Sequence, residues 1–359
     1  MLSKNKKNNA REKIIESKNV PNKNDSALKE DEKILQSLRP RKFSDYVGQK
    51  SVVESISIAV KASKERKDTL DHSLFHGPPG LGKTTIAHII AHEMDAKLFH
   101  TSGPALERPA DVVGLLSNLK NSDILFIDEI HRLSTSVEEY LYSAMEDFRV
   151  DFVTGSGAFA KTINLPLSQF TLIGSTTRVG MLSAPLRERF GLSYHLDYYS
   201  IEELSDVVLR SAKILDVNIN EEGANEIANR SRGTPRISNR LLKRVRDYSQ
   251  VKHDGKINRN IASEALEIEG IDNLGLDRLD RVYLETLLKN YKGGPAGIQA
   301  LAATINEDQQ TLEDVVEPYL LKIGFIIRTP QGRKCTKEAF KHLGMTPPVD
   351  NLIQKNFFE

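Results

Sequence analysis

The sequence has a single cysteine, Cys335, in 359 residues, and it has no long apolar segment. One cysteine excludes an intramolecular disulfide framework and is typical of a reducing compartment. No apolar run approaches the roughly 18 residues that a membrane-spanning helix needs, and the N-terminus lacks the apolar core of a signal peptide. These absences predict a soluble, cytoplasmic protein.

The sequence also lacks an excess of charge of either sign. Lys and Arg total 50 and Asp and Glu total 49, which gives a formal net charge of +1. Any affinity for nucleic acid must therefore come from a local basic patch. The length is sufficient for two or three domains, each with its own core.

The most specific motif is GPPGLGKTT at residues 77–85, which matches G-x-x-x-x-G-K-[ST] at every fixed position. It lies between a strand-like run, Ser73–His76, and a helical run that begins at Thr84. Its three glycines let backbone N–H groups turn toward a polyphosphate, next to the positive end of a helix dipole. We expect Lys83 to bind the β- and γ-phosphates and the Thr84 hydroxyl to hold Mg²⁺. The residues of this loop assigned to the nucleotide are Gly80, Gly82, Lys83, Thr84 and Thr85.

A second predicted strand, at residues 123–127, ends in two acidic residues, Asp128 and Glu129. An apolar run that ends in carboxylates is typical of a parallel strand delivering them to the carboxyl edge of a sheet. Asp128 can hold the Mg²⁺ through water, and Glu129 can polarise the water that attacks the γ-phosphate.

A third predicted strand, at residues 170–174, is followed by Ser175, Thr176, Thr177 and Arg178. A polar side chain such as Thr177 at that strand end can hold the attacking water or sense the γ-phosphate. Two arginines, Arg187 and Arg189, come shortly afterwards. They fit either a solvated helix face or an arginine finger that reaches the γ-phosphate of a neighbouring subunit.

The remaining segments predict further elements and domains around this core. Helices separated by turns dominate from residue 201 to 269, without strands, and Arg236 in the first turn of one helix suggests a phosphate partner. Residues 150–165 predict a β-hairpin whose apolar residues serve either packing or partner docking. A helix over residues 134–148 could begin with a capping box formed by Thr135 and Glu138. The predicted organisation is a disordered tail at 1–37, a parallel-sheet α/β domain at 38–199, a helical lid at 200–270, a winged helix at 273–345 and a tail at 346–359.

The winged-helix prediction rests on three helices followed by a hairpin that turns at residues 330–332. The third helix, predicted over residues 310–323, should bury one broad face. That face comprises Leu312, Val315, Val316, Tyr319, Leu320 and Ile323. Basic residues cluster around the hairpin, which favours contact with the phosphates of duplex DNA. Winged helices also serve as protein-interaction modules, so both uses stay open.

Together these motifs describe an AAA+ ATPase, and residues 38–344 resemble the RuvB family of Holliday-junction branch-migration motors. The segments that carry the resemblance are 77–85, 127–133 (IDEIHRL), 144–148 (AMEDF), 185–191 (PLRERFG), 233–237 (GTPRI) and 324–333. The lid motif GTPR joined to this winged-helix segment is far more specific than the phosphate loop.

The resemblance implies a nucleotide site lined by residues from several segments. These are Leu38, Arg39, Glu146, Asp147, Phe148, Tyr199 and Arg236. It also implies that Arg189 completes the site of a neighbour in a hexameric ring that uses ATP and Mg²⁺. Arg328 and Arg333 would contact junction or duplex DNA, the 150–165 hairpin would dock RuvA, and the RuvC resolvase would join a larger complex.

The chain departs from the family pattern at three places. Its N-terminal tail is long, Ser175 stands where an alanine is usual, and residues 345–359 match no family pattern. Two other protein classes stay open. A clamp-loader-type AAA+ protein would normally carry a helical collar in place of the winged helix, and an ATP-switched scaffold would lack a catalytic glutamate such as Glu129.

Overall fold

The computed structural model describes residues 37–154 and 161–346. These residues form an α/β domain, a mostly helical domain and a winged-helix domain in chain order. No helix in the described ranges is long and apolar enough to cross a membrane. The predicted tails at 1–37 and 346–359 lie almost entirely outside the described residues.

The first domain is built on a five-stranded sheet of order β2-β3-β6-β1-β7, in which every neighbouring pair is parallel. The strands are β1 (Ser73–His76), β2 (Leu98–Ser102), β3 (Ile124–Asp128), β6 (Thr171–Thr176) and β7 (Leu192–His195). The three central strands are almost fully buried, as their apolar runs predict for a sheet covered on both faces. The parallel α/β core is therefore confirmed.

Helices pack on both faces of this sheet, and two apolar cores form on either side of it. The helices are α1 (Lys50–Arg66), α2 (Lys83–Glu93), α3 (Pro109–Leu116), α4 (Thr135–Glu146) and α5 (Ala184–Glu188). The register brings the carboxyl ends of the central strands together, because Ile127 of β3 pairs with Gly174 of β6 and His76 of β1 pairs with Thr176.

The start of α4 differs from the predicted capping box. Ser134, and not Thr135, occupies the N-cap position, and it makes no side-chain capping bond. Glu138 instead accepts hydrogen bonds from Tyr142 and Ser183, at 3.0 and 2.6 Å. The Glu138 carboxylate therefore binds these two side chains and does not cap the start of α4, contrary to the prediction from the sequence pattern.

The predicted hairpin is present as an antiparallel pair, β4 (Arg149–Thr154) and β5 (Lys161–Pro166). Val150 pairs with Leu165 and is fully buried against the α/β core. The base of the hairpin is therefore anchored to the domain, while its predicted turn at 155–157 lies outside the described residues.

The second domain packs its helices around a small apolar core. They are α6 (Ile201–Ile214), α7 (Glu221–Asn229), α8 (Pro235–Lys252) and α9 (Arg259–Ile268). The prediction that this domain has no strands is wrong. Two short strands, β8 (Asn218–Ile219) and β9 (Lys256–Ile257), pair in parallel, and such two-residue pairings carry too little periodicity to be read from sequence.

The third domain has the predicted winged-helix order. Its elements are α10 (Arg278–Lys289), α11 (Ile298–Ile305), α12 (Gln309–Thr311), a π-helical segment (Leu312–Val316), α13 (Glu317–Lys322), β10 (Ile326–Thr329), β11 (Gly332–Cys335) and α14 (Lys337–His342). The hairpin β10–β11 pairs Arg328 with Arg333 across the strands. We call residues 326–335 the wing.

The π-helical segment changes which residues of the third helix are buried. Hydrogen bonds that span five residues, in place of the four of an α-helix, rotate the side chains that follow. Val315, predicted to face the core, is 57% exposed, whereas the carboxylate residue Glu317 is fully buried. The predicted apolar face is therefore wrong at Val315, and a charged residue occupies the interior instead.

Candidate nucleotide-binding site

The loop after β1 has the backbone shape that phosphate binding requires. Gly77 and Gly82 adopt φ values of +138° and +101°, which L side chains rarely adopt. A Cβ on Gly82 would lie 2.6 Å from the Tyr46 hydroxyl, and one on Gly77 would lie 2.4 Å from the Leu196 carbonyl oxygen. Glycine is thus needed at both positions, and the loop leads directly into α2 at Lys83.

Lys83 is buried, and its Nζ donates to the carbonyl oxygens of Gly77 and Pro78 at 2.8 and 2.9 Å. Burial lowers the pKa of Lys83 to about 8, although the carboxylates of Glu129 and Asp128 oppose that shift. The ammonium group is therefore folded back over its own loop and is poorly solvated. An anionic phosphate at this position would restore a favourable charge partner.

Two arginines add positive charge from other segments. Burial, with a contribution from the nearby Arg236 guanidinium, lowers the pKa of Arg39. Arg236 lies in the first turn of α8, and its backbone N–H donates to the Gly80 carbonyl at 3.4 Å. The second domain thus closes over the phosphate loop and brings a cation to it.

The opposite wall is acidic and lies at the carboxyl edge of the sheet. The Ser175 hydroxyl donates to Asp128 Oδ1, which also accepts from the Glu129 backbone N–H at 3.1 Å. The Thr177 hydroxyl donates to Glu129 Oε2 at 3.3 Å. Burial, followed by repulsion from Asp128, raises the pKa of Glu129. A carboxylate with raised basicity beside a threonine hydroxyl suits the polarisation of a water molecule.

These walls enclose a cavity of about 630 Å³. Twelve of the predicted site residues line it: Leu38, Arg39, Gly80, Gly82, Lys83, Thr84, Thr85, Asp128, Glu129, Thr177, Tyr199 and Arg236. The tertiary structure therefore brings together residues that lie almost 200 positions apart. Cations on one side and carboxylates on the other fit a polyphosphate bound with a divalent cation.

The two predicted metal ligands, Thr84 and Asp128, fit a cation that takes its remaining ligands from the bound phosphates. Within residues 37–154 and 161–346, no three His, Cys, Asp or Glu side chains are grouped so as to hold a metal. A Mg²⁺ at Thr84 and Asp128 would therefore take its other ligands from phosphate oxygens and water, as this ion commonly does.

Four residues predicted for the nucleotide site do not line this cavity: Glu146, Asp147, Phe148 and Arg189. Arg189 instead contacts Glu146, with Nη2 at 3.0 Å from Oε2, and its guanidinium lies 4.6 Å from the centre of the Tyr142 ring. Its Nη1 donates to the Pro185 carbonyl at 2.8 Å. The role of these four residues at a nucleotide site stays a prediction.

Sequence reasoning assigned no role to Tyr46 and His131, which lie beside the site. The hydroxyls of Tyr46 and Tyr199 lie 2.9 Å apart, and both donate to the Leu81 carbonyl. His131 lies with Nδ1 at 2.9 Å from Thr176 Oγ1 and 3.3 Å from Glu129 Oε2. Only the position of His131, two residues after the acidic pair, could have drawn attention to it. Tyr46 carries no motif signal.

The two wing arginines share one buried carboxylate. Arg328 Nη2 lies 2.6 Å from Glu317 Oε2, and Arg333 Nε lies 2.7 Å from Glu317 Oε1. The Arg328 side chain is 51% exposed, but that of Arg333 is only 16% exposed. Contact with DNA stays a prediction for both, and the geometry makes Arg328 the more accessible.

Comparison with known protein families assigns each of the three domains. Residues 38–196 match the family described as "Holliday junction DNA helicase RuvB P-loop domain". Residues 199–272 match the RuvB AAA lid domain, and residues 273–344 match the RuvB C-terminal winged helix domain.

Individual relatives agree over almost the whole chain. A protein from Trichormus variabilis named "Holliday junction branch migration complex subunit RuvB" is 55% identical over 328 residues, which cover 91% of this chain and 90% of that protein. A protein of the same name from Nostoc punctiforme is 54% identical over 330 residues, covering 92% and 90%. The solved Thermotoga maritima RuvB branch migration motor superposes with a TM-score of 0.80 at 47% identity, covering 87% of this chain and 99% of that one.

Proposed function

The chain belongs to the RuvB family of P-loop AAA+ ATPases, and from this premise we propose that it is a motor that uses ATP and Mg²⁺ to move duplex DNA through a Holliday junction. Such movement is branch migration, in which strands exchange between paired duplexes during recombination and repair.

One observation carries the catalytic part of this proposal. Lys83 of the phosphate loop, Glu129 and Thr177 of two strand ends and Arg236 of the second domain all line the same cavity. Lys83 supplies a cation that binds phosphate, and Glu129 supplies a carboxylate that polarises water and is oriented by the Thr177 hydroxyl. Arg236 supplies a second cation, whose distance from the phosphates depends on the position of the second domain. That is the set of groups that phosphoryl transfer to water requires.

The residues would divide the work as follows. Lys83, Arg39 and the backbone N–H groups of the loop bind and orient the phosphates. Glu129 accepts a hydrogen bond from the attacking water, while Thr177 keeps the Glu129 carboxylate in place. Thr84 and Asp128 would hold Mg²⁺, which neutralises charge on the phosphate oxygens. Because Arg236 lies on α8, loss of the γ-phosphate can change how the second domain sits on the first.

A ring of subunits would complete the site. Arg189 and Glu146 lie apart from the cavity of their own chain, and Arg189 has a guanidinium supported on one face by Tyr142. A neighbouring nucleotide could displace Glu146 as the partner of this cation. We therefore assign Arg189 as an arginine finger in a hexamer, with Glu146, Asp147 and Phe148 beside it at the subunit boundary.

The remaining partners follow from the other two surfaces. The wing would contact duplex DNA through Arg328 and Arg333. The hairpin at 150–165 would dock RuvA, and RuvC would act on the same junction in a larger complex. A clamp-loader role is less well supported, because the third domain is a winged helix and not a helical collar.

The test is branch migration of a synthetic four-way junction, measured as duplex products on a gel with ATP, Mg²⁺ and RuvA present. The wild-type chain should convert the junction, and Glu129→Gln should bind ATP but lose hydrolysis by about 10²–10⁴-fold, the typical contribution of such a group. Lys83→Ala should weaken ATP binding itself. ATP hydrolysis without any junction conversion would favour the clamp-loader alternative, and parental hydrolysis by Glu129→Gln would refute the assigned water-polarising role.

A further inference from the structure

An ion pair joins the nucleotide site to the winged-helix domain. Arg178 follows Thr177 directly at the end of β6, and its Nε donates to Asp314 Oδ1 at 3.0 Å. A second guanidinium nitrogen, Nη2, also contacts Asp314 and lies 3.7 Å from Glu313 Oε2. Because Glu313 and Asp314 lie in the π-helical segment, this contact crosses from the first domain to the third.

On the nucleotide side, the backbone of Arg178 is fixed within the catalytic group. Its N–H donates to Thr176 Oγ1 at 2.9 Å, and that oxygen also contacts the ring of His131. The His131 ring nitrogen Nδ1 also lies 3.3 Å from Glu129 Oε2. A movement of Arg178, or of its partner Asp314, would therefore shift the position of Glu129 through Thr176 and His131.

On the other side, the same segment contacts the wing. Glu313 Oε1 lies 3.2 Å from Arg333 Nη2, and Arg333 in turn contacts Glu317 at 2.7 Å. Glu317 also holds Arg328. The π-helical geometry places Glu313 between the two domains, within 3.7 Å of Arg178 and 3.2 Å of Arg333. π-Helical turns of this kind are frequent at functional sites.

Phosphate binding at the wing would redistribute these charges. If a DNA phosphate takes the exposed Arg328, Glu317 keeps only Arg333 as a cationic partner, and the contact of Arg333 with Glu313 weakens. Glu313 then attracts Arg178 more strongly and competes with Asp314 for it. Displacement of Arg178 toward Glu313 would move its backbone N–H relative to the Thr176 hydroxyl that accepts from it.

We propose that this network, from Arg333 through Glu313 and Asp314 to Arg178, couples DNA occupancy of the wing to ATP hydrolysis. Arg178 and Asp314 are then positioning residues, since neither touches the nucleotide cavity. The inference rests on the proposed function, because it needs both an ATPase and a DNA-binding wing. The alternative is a partly exposed interdomain ion pair that contributes little to stability and nothing to coupling.

The experiment compares steady-state ATP hydrolysis by the full chain with and without saturating duplex DNA. The variants are Asp314→Asn, Arg178→Gln and the double variant. The control is Asp95→Asn, which removes an exposed carboxylate paired with Lys64 at 2.6 Å in the first domain. DNA affinity and melting temperature are measured in parallel, because a merely structural pair would change the melting temperature and leave the stimulation ratio unaltered.

We expect Asp314→Asn to reduce the stimulation ratio by about fivefold or more, the size of a typical coupling between sites. Its hydrolysis without DNA and its DNA affinity should stay close to wild type. Arg178→Gln should lower the ratio similarly, and the double variant no further, since both act through one contact. Asp95→Asn should behave like wild type.

The outcomes separate this inference from the proposed function. A wild-type chain that hydrolyses no ATP, or whose hydrolysis ignores DNA, would refute both. A stimulated wild type with equally stimulated Asp314→Asn would refute the coupling alone. Independent, additive losses in the double variant would also refute it, as would an equal loss of stimulation in Asp95→Asn.

Discussion

Replacing Arg333 by alanine should destabilise the third domain far more than replacing Arg328, although the two arginines face each other across the wing. Arg333 makes the more buried set of contacts, to Glu317 at 2.7 Å and to Glu313 at 3.2 Å. Glu317 is fully buried and also accepts from the Tyr283 hydroxyl at 3.0 Å. Loss of Arg333 therefore leaves a buried carboxylate with one half-exposed cation.

The expected magnitude follows from that geometry. Removing one partner of a buried ion pair costs about 3–5 kcal/mol, and the surviving Arg328 places Arg333→Ala near the lower end. For a domain of this size, a loss of about 3 kcal/mol corresponds to a melting temperature lower by about 12 °C or more. Arg328→Ala keeps the buried pair, so its cost should be about 1 kcal/mol or less.

DNA binding should show the opposite order. The Arg328 side chain is 51% exposed and can reach a phosphate while Arg333 stays on Glu317. Arg328→Ala should weaken DNA binding similarly for all sequences and lower the slope of log affinity against log salt by about 0.9, the value for one phosphate contact. Arg333→Ala, assayed well below its melting temperature, should change that slope less.

Calorimetry of the full chain gives the melting temperatures, and fluorescence anisotropy of labelled duplex at several salt concentrations gives the slope. Lys334→Ala is the matched control for stability, because it removes an exposed cation from the same hairpin. The reasoning would be refuted if Arg333→Ala had the same melting temperature as Lys334→Ala, or if the two arginine variants lost the same stability.

Three further predictions concern the nucleotide site. Arg189→Ala should bind ATP but hydrolyse it about 10³–10⁵-fold more slowly; mixing it with Lys83→Ala subunits should restore some turnover, and no recovery in rings that contain both would place Arg189 in its own chain's site. Because Lys83 has a pKa of about 8 and only its charged form attracts phosphate, ATP affinity should be level up to that pH and then fall by about tenfold per unit; calorimetric titration should show no such fall for Lys83→Met, and a level wild-type profile would contradict the low pKa. Ser175→Ala removes the hydrogen bond to Asp128 and should lower stability by about 1–2 kcal/mol while turnover changes little, so loss of most turnover in a steady-state assay would show that the hydroxyl has a larger role.

The phosphate loop and the strand ends could be predicted from sequence because each is a local property. The phosphate loop needs positive φ at positions 77 and 82, which glycine adopts without strain, and a buried parallel strand needs an unbroken apolar run such as residues 124–127. Once parallel strands are assigned, their carboxyl ends must meet at one edge, so the proximity of Asp128, Glu129 and Thr177 follows from chain order and strand direction.

Only the tertiary structure decided the contacts that distinguish arginines with similar sequence surroundings. Arg328 and Arg333 look equivalent in sequence, but the π-helical segment turns Glu317 into the core and places it against Arg333. Likewise Arg178 looks like an ordinary residue after a strand until Asp314, 136 positions away, lies against it. Ion pairs between distant segments depend on how whole domains pack, and no local pattern records which carboxylate a cation will meet.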